Sequence, residues 1–113
     1  MLTSLERAVI DLLLTEQGEP NDTIRLQVKN ANIANRELTG VGFFTKFELP
    51  VTSSVRRDLP NCTISGVEAE LPGLKHGAGF LLFIRDGVVS QLEGFTYDEP
   101  WPMTIDSFKL WRH

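Results

Sequence analysis

The sequence predicts an α+β domain: one or two N-terminal helices packed on a mainly antiparallel, strongly curved sheet of about five strands. Three observations predict it. A capped amphipathic segment opens the chain. A dense apolar run, Ala78 to Arg85, meets Asp86-Gly87 and a second strand-like run. Helical signals come first and strand signals after, an order that suits helices on one face of an antiparallel sheet. The 113 residues fit one domain, 1–113, long enough to bury a core without disulfides or a structural metal.

Taken in order, Thr3-x-x-Glu6 reads as a capping box. Leu2, Leu5, Val9, Leu12 and Leu13 then recur at helical spacing until Gly18 and Pro20 stop the pattern. A helix is expected over 3–16. Asn21 or Asp22 can cap a second helix whose stripe is Ile24, Val28 and Ala31. Ile24, Leu26 and Val28 also alternate with polar residues, so 22–30 stays open between helix and strand, with the caps favouring a short helix. Residues 32–38 read as an extended edge segment. Val41 to Leu49 carries Phe43, Phe44 and Phe47 and reads as a strand. Gly40 and Gly42 at its start mark a bulge or a close backbone approach.

Residues 50–60 read as a loop, with Thr52-Ser53-Ser54 and Arg56-Arg57-Asp58 between two prolines, and are expected to be the most mobile segment. Cys62 to Leu71 reads as a strand with a bulge at Gly66, and Pro72-Gly73 as a turn. Ala78 to Arg85 is apolar on both faces and is expected in the middle of the sheet. Asp86-Gly87 is a type I′ turn signal. Val88 to Tyr97 returns with Ser90, Gln91 and Glu93, so one of its faces should meet solvent. Pro100 and Pro102 then break the pattern, and Phe108, Leu110 and Trp111 suggest a last strand.

Composition narrows the function classes. The chain is 42% hydrophobic and 23% charged, as folded proteins are. Its net charge of −4 and pI of about 5.1 argue against nucleic acid as the main ligand. The one basic pair, Arg56-Arg57, precedes Asp58 and reads as solvated. One cysteine, Cys62, allows no internal disulfide and agrees with a reducing compartment. The longest apolar run, Phe80 to Ile84, is far short of a membrane span. Glu6, Arg7 and Asp11 among the leucines do not read as a signal peptide. A cytoplasmic protein is expected, with no membrane contact.

Catalytic signals are weak. Gly40-Val41-Gly42 and Gly77-Ala78-Gly79 contain G-x-G, but strands follow them where a dinucleotide site needs a helix. Cys62 and His76 are the nearest thing to a nucleophile and base; they read more simply as a core thiol and a turn histidine. His113 ends the chain and is expected to fray. Glu93 and Asp98 lack a known separation for glycoside chemistry. Glu68 and Glu70 share a strand face and should be solvated. With one cysteine and two histidines, no metal centre and no cofactor is expected.

The most distinctive stretch runs from Leu92 to Pro102. It joins Phe95, Tyr97 and Trp101 to Glu93, Asp98 and Glu99. Aromatics are enriched at interface centres, and acids steer basic partners. The leading expectation is a non-catalytic binding protein whose Glu93, Tyr97, Asp98, Glu99 and Trp101 contact a protein with a basic surface. The competing structural reading has these aromatics completing the core while Asp98 and Glu99 face water. A second expectation is a small-molecule-binding domain or small enzyme with a pocket over the sheet, lined by Phe43, Phe44 and His76. A third is a homo-oligomer paired through an edge strand.

Several stretches also carry a resemblance. They are Glu37 to Thr45, His76 to Phe80 with Asp86-Gly87, Leu92 to Tyr97, and Trp101-Pro102. Together they resemble a family of small uncharacterised bacterial proteins that read G-V-G-F-F-T, then L-E-G-[YF]-T-Y and W-P. The resemblance implies a small domain of the bacterial cytoplasm and carries over no catalytic residue. Size and acidity further suggest an immunity- or antitoxin-like role, by analogy only.

Overall fold

The computed structural model describes residues 1–50, 55–56 and 58–113. The stretch Thr52-Ser53-Ser54 and the second arginine of the Arg56-Arg57 pair, with the mobility expected there, lie outside the described residues. Thr3 caps the first helix, α1 (Ser4–Leu13), and both halves of the capping box form. The helix stops earlier than residue 16. The Thr15 hydroxyl turns back to the carbonyls of Asp11 and Leu12, at 3.2 and 2.8 Å, and satisfies the last turn.

The open segment is a helix, α2 (Asn21–Asn30). Thr23, Ile24 and Gln27 are buried along one helical stripe, while Leu26, which the strand reading needed inside, is exposed. Neither Asn21 nor Asp22 is the N-cap; Pro20 takes that position and makes no side-chain cap. The first turn is tied down by Glu19, which accepts the Thr23 N–H at 2.9 Å, and by Asp22, which accepts the Gly18 N–H at 3.1 Å.

Six strands follow: β1 (Asn32–Leu38), β2 (Gly42–Glu48), β3 (Cys62–Glu70), β4 (Ala78–Arg85), β5 (Val88–Thr96) and β6 (Lys109–Arg112). They form one open antiparallel sheet in the order β1-β2-β5-β4-β3-β6. The count exceeds the expected five because the polar edge segment 32–38 pairs along its whole length with β2. Its side chains are mostly exposed, so hydrophobic patterning gave little sign of it. β4 is central, as its two apolar faces require. The bulge at Gly66 is present, with φ of +105° and a register shift between Ile64 and Val67.

Asp86 and Gly87 join β4 to β5 with φ of +55° and +79°, the positive values a type I′ turn needs. Gly87→Val should therefore cost about 1–3 kcal/mol, since a β-branched side chain is strained there. An unchanged thermal midpoint would contradict the turn. The Gln27 side chain reinforces the same corner. Its Nε2 donates to the Gly87 carbonyl at 2.9 Å, and its Oε1 accepts the Val89 N–H at 2.8 Å.

The pleat divides the sheet into two unlike faces. Phe43, Val67, Phe80, Leu82, Ile84 and Leu92 point one way and form the core with Val9, Ile10, Leu13 and Ile24 of the helices. The alternate residues point the other way. No described helix covers that outer face.

Candidate functional site

Strand register fixes what the outer face presents. Phe44 stands opposite Glu93 and Glu93 opposite Leu81, so an acid sits between two apolar side chains. Phe95 is two residues along the same strand face, and Phe83 lies opposite Gln91 on the other side. Tyr97 stacks edge-on against Phe95, with centroids 5.7 Å apart, and its hydroxyl reaches Glu68 at 3.4 Å. Trp111 of β6 pairs with Glu68 and extends the patch to the sheet edge. Tyr97 and Trp111 are each 43% exposed; Phe44, Leu81, Phe83 and Phe95 are half-buried.

Glu93 has no hydrogen bond or ion pair among the described residues, and burial pushes its carboxyl above the usual value. The cation nearest by register, Lys46, lies opposite Gln91 and makes no ion pair among the described residues. The arginine on this face, Arg85, is spent elsewhere. It donates to the carbonyls of Cys62 and Ile84 at 2.9 and 2.8 Å and lies over the Phe83 ring. Burial and the Glu68 carboxylate push the Tyr97 phenol up, which keeps it a neutral donor.

The acidic-aromatic segment does not stay together. Glu93 and Tyr97 belong to the outer face. Asp98 is exposed just beyond β5 in a left-handed conformation, with φ of +64°. Glu99 turns back and accepts the backbone N–H groups of Lys75 and His76 at 2.9 and 3.1 Å, which holds its carboxyl below the usual range. Trp101 crosses to the helix side, where it packs edge-on against Phe43 and Phe80 at 5.1 and 6.4 Å. Tyr97 and Trp101 are thus on opposite sides of the sheet.

Beside Trp101 a cleft of about 540 Å³ opens between the start of α1, the end of β1 and residues 101–108. Its apolar wall includes Leu5, Leu38, Phe43, Trp101, Ile105 and Phe108. Of the expected pocket trio only Phe43 lines it. Phe44, one residue on, points to the outer face, and His76 lies on the turn held by Glu99.

Glu6 and Arg36 make the polar wall. Glu6 is 3% exposed. Its Oε1 accepts the Thr3 N–H at 2.8 Å and Arg36 Nη2 at 2.6 Å; its Oε2 accepts Arg36 Nε at 3.0 Å and the Thr45 hydroxyl. Burial pushes its carboxyl up, but Arg36, Thr45 and Thr3 together bring it below the usual value. Sequence reading found Glu6 as a cap and missed Arg36 and Thr45, whose meeting depends on strand pairing 30 and more residues away.

A comparison with protein-family models, with curated proteins and with solved structures found no match to this chain. The other sequence candidates separate as well. Cys62 pairs with Ile84 at one end of β3, while His76 follows the other end, where Ala69 pairs with Ala78. Seven strand residues put about 20 Å between the two ends. Arg56 is bound by Asp58 at 2.9 and 2.6 Å and by Glu19 at 2.6 Å, so it carries no spare charge for phosphate. His113 has partners at the chain's last strand: its N–H donates to the Gly66 carbonyl at 3.0 Å and its ring meets Glu68 at 3.0 Å. No helix among the described residues is long and apolar enough to cross a membrane.

Proposed function

We propose that this chain is a non-catalytic binding protein of the bacterial cytoplasm, whose outer sheet face holds a protein partner carrying a lysine or arginine within an apolar stretch. One observation supports this above the others. Among the described residues Glu93 has no ionic partner, and it sits between Phe44, Leu81 and Phe95 on a sheet face that no described helix covers. A half-buried carboxylate without a cation costs free energy. A partner's basic side chain would remove that cost, and the surrounding aromatics would bury apolar area around the pair. Tyr97 and Glu68 extend the same surface. Asp98 lies near its rim, whereas Glu99 and Trp101 are engaged inside the domain and are left out of the proposed contact. An immunity- or antitoxin-like protein would use such a face to cover a basic surface of its target.

Display selection from a random peptide library tests this reading. Selected peptides should combine Lys or Arg with aromatic or aliphatic residues, and Glu93→Lys should weaken them by about tenfold or more. Selected peptides that lack basic residues, or that bind Glu93→Lys as well as the parent, would count against it.

A further inference from the structure

The cleft on the helix side differs from the outer face in shape and chemistry. It is concave, mostly apolar, and about 540 Å³, within the range of small-molecule sites. Its polar wall is also one-sided. Each carboxylate oxygen of Glu6 already accepts two hydrogen bonds, so Glu6 has little left to offer a ligand's donors. Arg36 spends Nε and Nη2 on Glu6 and on the Met1 carbonyl at 2.8 Å. Its Nη1 has no acceptor among the described residues, and the side chain is 37% exposed in the cleft wall. Thr3 and Ser4 add hydroxyls at the same end. Arg36 Nη1 is thus a charged donor without an acceptor among the described residues, and the Thr3 and Ser4 hydroxyls, which can accept as well, can donate beside it; a ligand acceptor suits that end of the cleft.

We infer that this cleft binds a small amphipathic monocarboxylate, with its acidic head on Arg36 Nη1 and its aliphatic body against Leu38, Phe43, Trp101 and Ile105. Three features select that chemistry. The saturated Glu6 disfavours amines. The small number of polar groups disfavours sugars and nucleotides. The apolar wall needs a hydrocarbon body to replace water. This site is independent of the outer face, so each can fail without the other.

Decanoate is the probe, with decanol and decyltrimethylammonium as neutral and cationic counterparts, all below their aggregation limits. In an amide-resolved NMR titration, decanoate should shift residues 38–43 and 101–108. It should bind about tenfold more tightly than decanol, with the cation weakest. Leu38→Glu tests the charge preference at a rim position that is 77% exposed and so tolerant of change. It should weaken decanoate about tenfold more than Leu38→Lys does, because both variants lose the same apolar contact and differ only in charge. Arg36→Lys should also weaken it, because an ammonium lacks the second arm of the fork; if that variant unfolds, the Leu38 pair still decides. Equal affinity for decanoate and decanol, unchanged binding by Leu38→Glu, or shifts confined to the outer face would overturn the inference.

Discussion

Arg36→Ala should destabilise the domain by about 3 kcal/mol, more than Glu6→Gln at about 1–2 kcal/mol. The asymmetry follows from where the two charges lie. Glu6 is buried and Arg36 is partly exposed. Removing Arg36 strands a carboxylate under the helix. Removing the Glu6 charge leaves a guanidinium that can turn to water. The pH dependence has a definite sign. The folded Glu6 carboxyl titrates below its unfolded value, so its stabilisation is present above the ordinary carboxylate value of about 4.3 and is lost as pH falls through the lowered folded value. Without Arg36, burial is opposed only by Thr45 and Thr3. The gap between parent and Arg36→Ala should then be widest at neutral pH and narrow in acid. Urea melts at pH 7 and pH 4 measure it, and a constant gap would mean that Arg36 stabilises by packing alone.

Gly94→Ala should cost about 2 kcal/mol, a large effect for one methyl group. Phe43 lies opposite Gly94, and a Cβ there would stand 2.3 Å from the Phe43 ring. That ring cannot retreat easily, because Trp101 packs edge-on against it and Phe80 lies tilted beside it. The matching arrangement on the other face sets Phe95 over Gly79, where a Cβ would stand 2.6 Å from the ring. Each glycine leaves room for the phenylalanine across the ladder. Phe43→Leu should therefore recover part of the loss in a Gly94→Ala background, so that the double variant is more stable than the two single losses sum to. Simple additivity in urea unfolding would show that the two positions do not share the space.

This pairing links two distant glycine–phenylalanine steps of the chain. Gly42-Phe43 and Gly94-Phe95 belong to different stretches of sequence, yet Gly42 stands opposite Phe95 and Phe43 opposite Gly94. Those residues serve the sheet's close packing. The capped first helix, the central β4 and the Asp86-Gly87 turn were legible because their signals are local: a four-residue box, an apolar run, a turn dipeptide. β1 was harder, since an edge strand of Asn, Arg and Glu shows no buried period. The outer-face patch was only half legible. Glu93 and Tyr97 were chosen for composition, and strand register then joined them to Phe44, Leu81, Phe83 and Trp111, which are distant in sequence. Trp101 and Glu99 have the same composition but sit past the end of β5, where the chain crosses to other partners. The Glu6–Arg36–Thr45 cluster needed the β1–β2 pairing to be known before it could be seen.

The proposed role for Glu93 is that of an acid, without an ionic partner among the described residues, that awaits a partner's basic side chain. The most direct test is the titration of the Glu93 carboxyl by NMR, first in the free protein and then with a saturating basic peptide from the display selection. In the free protein the value should lie above that of an ordinary glutamate, because of burial. In the complex a cation should lower it, and by linkage the peptide should bind more tightly as pH rises through it. A value that stays the same or rises on binding, with affinity independent of pH across that range, would rule out this role for Glu93.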